Sequence, residues 1–155
     1  MNANEVIASL ASQQSGQTVH PNDHVNMAQS TNDTIPTAMR LGVLSLLPGL
    51  TAAMTKLATA LRGRADAFDG IVKAGRTHLQ DATPIRLGQI FGGYFRQVAL
   101  VISELERTLD GLCELPLGGT AVGTGLNTHP EFAQRVIAGL AEVTGLPLRE
   151  AKDHF

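Results

Sequence analysis

The chain has 155 residues, about one domain at the usual ~100–200 residues per domain. It is 43% hydrophobic and 17% charged, with 12 Lys+Arg against 14 Asp+Glu, which excludes a charged tail protein and the electrostatic footprint of a nucleic-acid binder. A lone Cys113 excludes a disulfide framework and a Cys-based zinc site, so a reducing, cytoplasmic setting fits. No continuous apolar run reaches the ~18–20 residues of a membrane span, and Met1-Asn2-Ala3-Asn4-Glu5 lacks the basic and apolar regions of a signal peptide. Aromatics at 4% favour Leu/Val/Ala-rich helices over a small β-sandwich.

In chain order, a first helix is expected over roughly 3–14, around Val6, Ile7 and Leu10. A polar connection, Gly16 to Asp33, follows it. Next comes the strongest periodic signal: Val43, Leu47, Leu50, Met54, Leu57 and Leu61, spaced 4-3-4-3-4 as in a helix packed along other helices. Pro36 is placed to open that helix, and Pro48 inside it should kink it. Asp69 to Asp81 is read as a second connection, with Thr83 and Pro84 as N-cap and first-turn residue of the next helix. That helix carries Leu87, Phe91, Tyr94, Val98, Val101, Leu105 and Leu112 on one seam. After a glycine-rich connection from Leu115 to Asn127, Thr128-His129-Pro130-Glu131 reads as a capping box opening a last helix, ended by Gly145 and Pro147. No strand-like alternation of useful length is visible. The expected architecture is all-α, and its two long seams call for burial against other subunits.

Three segments carry chemistry-bearing residues. From His20 to Asp33, imidazole, amide and hydroxyl groups crowd the start of the first long helix, where unpaired N–H groups and a partial positive charge suit a small carboxylate or phosphate. The plainer reading is that Ser30, Thr31, Asn32 or Asp33 caps the helix, and residue types alone leave both open. His20 and His24 lack a third metal ligand, so no metal site is assigned and no cofactor is called for. In the second segment, Gly75 to Pro84, His78 lies between Thr77 and Gln80 beside Arg76; it suits proton handling or a carboxylate contact, or is merely structural. The third, Leu117 to Asn127, resembles a phosphate loop, but Thr124 stands where the lysine is required and no Gly-x-Gly-x-x-Gly spacing occurs. Close backbone passage between helices is the better account of its glycines.

Taken in order, Met1 to Ala8, His20 to Asp33, Gly75 to Pro84 and Gly118 to Pro130 resemble the class II fumarase/aspartase (fumarate lyase) superfamily across nearly the whole chain. The resemblance implies an all-α, long-helix bundle portion of that fold, with residues 1–33 ending an N-terminal domain and 34–155 belonging to the central helical bundle. It implies a lyase acting at the double bond of fumarate. Hydration to malate is preferred on the fumarase-like wording of Gly118 to Phe132. Aspartate ammonia-lyase is the alternative, favoured by Thr31 where many fumarases carry a second Ser. An inactive fragment keeping only helical assembly surfaces is the non-enzyme alternative.

Carried over by motif position, Ser30, Thr31, Asn32 and Thr77 would hold substrate carboxylates, and His78 would be the imidazole assigned to proton transfer or to orienting substrate or water. His20, Asn22 and Asp23 would form a secondary anion site outside the catalytic pocket. The resemblance further implies a homotetramer, a dicarboxylate substrate, no nucleic-acid or membrane partner and a place in the tricarboxylic acid cycle. It also places a Ser/Thr-rich substrate loop before Met1 and the loop bearing the proton-removing serine beyond Phe155, so that the chain reads as an interior segment of a longer enzyme.

Overall fold

The computed structural model describes residues 2–155. Helix α1 (Asn2–Ser15) is followed by one π-helical turn (Pro21–Val25) and the long α2 (Thr31–Ala67). A two-stranded ribbon, β1 (Val72–Thr77) and β2 (Gln80–Arg86), leads into α3 (Leu87–Leu112). Strand β3 (Glu114–Leu115), helix α4 (Phe132–Thr144) and strand β4 (Arg149–Glu150) complete the order. Helices dominate, as expected, and the fold is that of a helical-bundle domain. Two compact units can be distinguished, one formed by the residues up to Gly42 with Gly111–Phe155, the other by Val43–Asp110.

In the first unit, the core gathers Leu115, Leu117 and Ile137, with Val136, Leu140 and Leu148 packed against it. The parallel pairing of β3 with β4, Glu114 opposite Arg149 and Leu115 opposite Glu150, holds Leu115 in this core at 0% exposure. Arg40 on α2 donates to the carbonyl of Gly111 (2.8 Å), which the end of α3 leaves without a helical partner, and to that of Glu114 in β3. Helix α4 ends as its sequence predicts: Gly145 adopts φ +69° and donates its N–H to the Ala141 carbonyl at 2.8 Å. Its start differs. Thr128 Oγ donates to the Gly125 carbonyl instead of capping, and the helix begins only at Phe132. The expected capping box is spent on closing the preceding turn.

In the second unit, α2 and α3 approach closely at Gly88, where an added Cβ would lie 2.4 Å from the Ala65 carbonyl oxygen. The Gly88 N–H donates to the Phe68 carbonyl at 3.0 Å, and Phe68 meets the Phe91 ring edge-on at 5.4 Å. Several apolar positions of the two predicted seams are exposed in the chain, among them Leu50 (50%), Leu57 (51%), Tyr94 (50%) and Val101 (49%).

Three expectations are corrected. Helix α2 begins at Thr31, five residues ahead of Pro36, because the cap at Ser30 starts it, and it runs through Pro48 without ending. The 70–86 region is not a polar connection: β1 and β2 pair antiparallel, and Thr83 and Pro84 lie in β2, not at a helix start. Pro84 is tolerated because a two-stranded ribbon consists only of edges. Gly75 sits where the register shifts between Ala74 and Arg76, within 2.7 Å of the Thr83 carbonyl for any added Cβ. Finally, although no continuous apolar run occurs, α2 contains an 18-residue window of mean hydropathy 1.4 and is, by length and composition alone, apolar enough to cross a membrane. On that helix Leu44, Leu47, Ala58 and Ala65 are buried, but only 17% of the apolar window is.

Because Leu115 is fully enclosed, Leu115→Ala should lower stability by ~2–5 kcal/mol through lost transfer energy and the cavity left behind. Urea unfolding followed by circular dichroism should show a lower midpoint at an unchanged slope.

Candidate active site

The amino end of α2 is shaped by a reciprocal cap. Ser30 Oγ accepts the Asn32 N–H at 3.2 Å, and Asp33 Oδ1 accepts the Ser30 N–H at 3.1 Å, a Ser-x-x-Asp version of the capping box. Thr34 adds its hydroxyl to the Ser30 carbonyl at 2.6 Å. Of the two readings left open for this segment, capping is the one these bonds show. Ser30 and Asp33 cap, while Thr31 and the Asn32 side chain stand exposed at the helix start.

Asp33 is only 2% exposed, and its second oxygen accepts the N–H groups of Gly118 (3.0 Å) and Thr120 (2.9 Å). The glycine-rich loop is thereby tied to the helix start. It also reaches Asn32, whose Nδ2 donates to the Ala121 carbonyl at 2.6 Å. The loop needs its glycines. Gly118 holds φ +103°, and a Cβ there would lie 2.4 Å from that of Ala133. Thr120 itself sits at φ +56°, 5% exposed, and its Oγ has no hydrogen-bond partner.

His20, Asn22 and Asp23 occupy the π-helical turn of the same unit. His20 Nδ1 accepts the Asp23 N–H at 3.2 Å, and the His20 N–H donates to His24 Nδ1 at 2.8 Å. Both Nδ1 lone pairs thus serve the backbone, a capping role for imidazoles that residue type alone suggests as metal ligands. Among the described residues no group of three or more His, Cys, Asp or Glu side chains is placed to hold a metal ion. Asn4 Nδ2 donates to Asn26 Oδ1 at 3.1 Å, linking α1 to the turn. Between the turn and the glycine-rich loop lies a recess of about 460 Å³, lined by Asn22, Asp23, Asn26, Gln29, Asn127 and the buried Thr120 among others.

Thr77 and His78 belong to the second unit. Thr77 pairs with Gln80, so His78 and Leu79 form a two-residue turn, with φ +52° and +62°. Such turns favour Asn-Gly, and a leucine there is sterically disfavoured. Its side chain is fully exposed, so packing does not account for its choice. Arg76 and Asp81 brace the turn with an ion pair at 3.2 Å. His78 is presented at the tip of an exposed ribbon, not on a helix.

The role of Asp33 as a clamp was missed by residue-type reasoning, which named it only as one possible cap. The Ser-x-x-Asp spacing marks its bond to Ser30, but nothing local marks its bonds to Gly118 and Thr120. Replacing Leu79 with Gly should raise stability by about 0.5–1 kcal/mol, since the relief of left-handed strain exceeds the entropic cost of glycine. A thermal melt shows this as a higher Tm; an unchanged or lower Tm counts against strain in the turn.

A family model described as a lyase matches residues 1–155. The chain is 55% identical over 161 residues to the class II fumarate hydratase of Halobacterium salinarum, covering 100% of this chain and 34% of the relative. It is 51% identical over 161 residues to that of Thermus aquaticus, again covering 100% and 34%. Among solved structures, the class II fumarase of Schistosoma mansoni superposes with a TM-score of 0.90 at 35% identity, covering 99% of this chain and 37% of that one. A fumarate lyase:delta crystallin of Brucella melitensis superposes with a TM-score of 0.89 at 39% identity, covering 99% and 35%. The chain thus spans about a third of the length of the curated relatives it matches.

Proposed function

The chain belongs to this lyase family, and from that premise we propose that it is a segment of a class II fumarate hydratase, catalysing the reversible hydration of fumarate to malate. The observation that carries the reading is the capped start of α2, where exposed Thr31 and Asn32 stand beside the cap formed by Ser30. Dehydration of malate, the reverse of that hydration, removes a proton from the carbon next to a carboxylate, and hydration returns a proton to the same carbon through the same intermediate. That carbon acid is weak, so the aci-carboxylate formed needs donors already in place. Hydroxyls, an amide and a helix amino end are such donors.

In this reading Ser30, Thr31, Asn32 and Thr77 hold the substrate carboxylates and His78 orients substrate or water, or passes a proton. His20, Asn22 and Asp23 form a secondary anion site, supported by the polar recess beside them. Residues 1–33 close an N-terminal domain and 34–155 belong to the central bundle; that division refers to the whole enzyme, not to the two compact units of this chain. The exposed apolar seams favour a homotetramer buried along its long helices; the lone Cys113 favours a cytoplasmic setting, and the reaction fits a place in the tricarboxylic acid cycle. The proton-removing serine is assigned beyond Phe155, so residues 1–155 alone should be silent toward malate, fumarate and aspartate.

The test is a chimaera with residues 1–155 in place of the matching third of the Halobacterium salinarum relative. It should hydrate fumarate and release no ammonia from aspartate. Ammonia release would favour the aspartate ammonia-lyase reading to which Thr31 points, and absence of both activities overturns the proposal. In the active chimaera, Asn32→Ala should lower kcat by about 10²–10³-fold, the loss typical of one transition-state donor. Leu50→Asp should abolish assembly by placing an unpaired charge in a seam, and light scattering on the purified chimaera reads the result.

A further inference from the structure

We infer that Asp33 is a positioning residue of the active site, acting on Asn32 through the glycine-rich loop. The inference rests on the proposed role of Asn32 and goes beyond it, because no part of that reading gives Asp33 or the loop a task.

The path is short, and hydrogen bonds join its parts. The Asp33 carboxylate is buried and accepts three backbone N–H groups, one from Ser30 on its own helix cap and two from Gly118 and Thr120 on the loop. Charge-assisted bonds of this kind are roughly twice as strong as neutral ones. The loop residue next in line, Ala121, presents its carbonyl to Asn32 Nδ2 at 2.6 Å. An asparagine side chain turns freely about two torsions unless something holds it. Here one of its two amide hydrogens is fixed on Ala121, which limits the directions in which the other hydrogen and Oδ1 can be presented from this exposed residue. On the far side of Ala121 the loop closes on itself, with the Gly123 and Gly125 N–H groups both donating to the Gly119 carbonyl at 3.0 Å and both glycines at positive φ. Fixing Thr120 at φ +56°, a conformation costly for threonine, places the Ala121 carbonyl, and the Asp33 bond to the Thr120 N–H is what stabilises that conformation.

In this arrangement Asp33 never touches substrate. It sets the angle from which the Asn32 amide meets a carboxylate, and a misplacement of about 1 Å is enough to cost ~10²-fold in rate.

The experiment is a double-mutant cycle in the active chimaera. Asp33→Asn removes the charge and leaves one acceptor oxygen for the three N–H donors, with an NH₂ against the rest, so the clamp is weakened whichever way the amide turns. Alone it should lower kcat by about 10²-fold with a smaller change in KM. Combined with Asn32→Ala it should cost no more than about twofold beyond Asn32→Ala alone, because the residue it positions is gone. Thr120→Gly tests the same link more gently, keeping the N–H and removing only the strained side chain. It should lower kcat by about threefold to tenfold, and that loss too should vanish in the Asn32→Ala background. If Asp33→Asn yields no folded protein, Thr120→Gly decides the matter.

Losses that multiply with that of Asn32→Ala overturn the inference, since Asp33 would then act on the fold at large. An Asn32→Ala variant as active as its parent overturns the reading of Asn32 itself, and the inference with it. Full activity in both Asp33→Asn and Thr120→Gly, with Asn32→Ala impaired, overturns the inference alone.

Discussion

A carboxylate with 2% exposure and three backbone partners organises the chemistry-bearing part of this chain. Taking an ionised Asp33 out of water costs several kcal/mol unless its lone pairs are satisfied. Here the compensation comes from N–H groups alone, helped by the partial positive charge at the start of α2. Such a carboxylate does not tolerate loss of its donors, so the helix cap and the loop after β3 are held as one piece although 85 residues separate Asp33 from Gly118. The same bonds explain the loop's composition. Two consecutive turns toward one oxygen require positive φ at Gly118 and Thr120, and the first of these leaves no room for a Cβ beside Ala133.

How much of this is legible in the sequence depends on the range of the interaction that sets each feature. The helices are local facts. Their apolar spacing and the Gly145 stop place α1 within a residue at each end and α4 at its carboxyl end. The β1–β2 ribbon is not legible, because alternation reports a strand only when one face is buried. Nearly every residue from Val72 to Arg86 is exposed, with Gly75 the one buried position. Its turn is hidden as well, since Thr77-His78-Leu79-Gln80 carries none of the Asn-Gly or Asp-Gly chemistry that announces a two-residue hairpin.

Site residues divide along the same line. Ser30 to Asn32, His20 and His78 are recognisable by residue type and by motif order. What they bond to is not, except across the short span of the cap and the π-helical turn. The bonds of Asp33 to the loop and of Asn32 to Ala121 join positions 85 to 89 residues apart, and no pattern within either segment encodes them. The glycines of the loop mark close backbone passage, but the partner that demands the passage is visible only in three dimensions.

The two places that present the proposed donors solve the problem of positioning in different ways. At the start of α2, the exposed Asn32 amide is held by the loop that the buried Asp33 ties down, and rigidity of that kind suits donors that meet charge as it develops. At His78 the side chain is carried on an exposed two-residue turn with both residues left-handed, braced only by a surface ion pair of the kind worth less than about 1 kcal/mol. A group that orients or relays has more use for reach than a donor does, and a narrow ribbon projecting an imidazole supplies it. Left-handed Leu79 fits the same logic, since a bulky residue in that conformation persists only where the chain around it dictates the turn. Sequence economy alone would place glycine there. A leucine with nothing to pack against in this chain is held left-handed by the strand pairing on either side of it, Thr77 with Gln80, and not by packing of its own side chain.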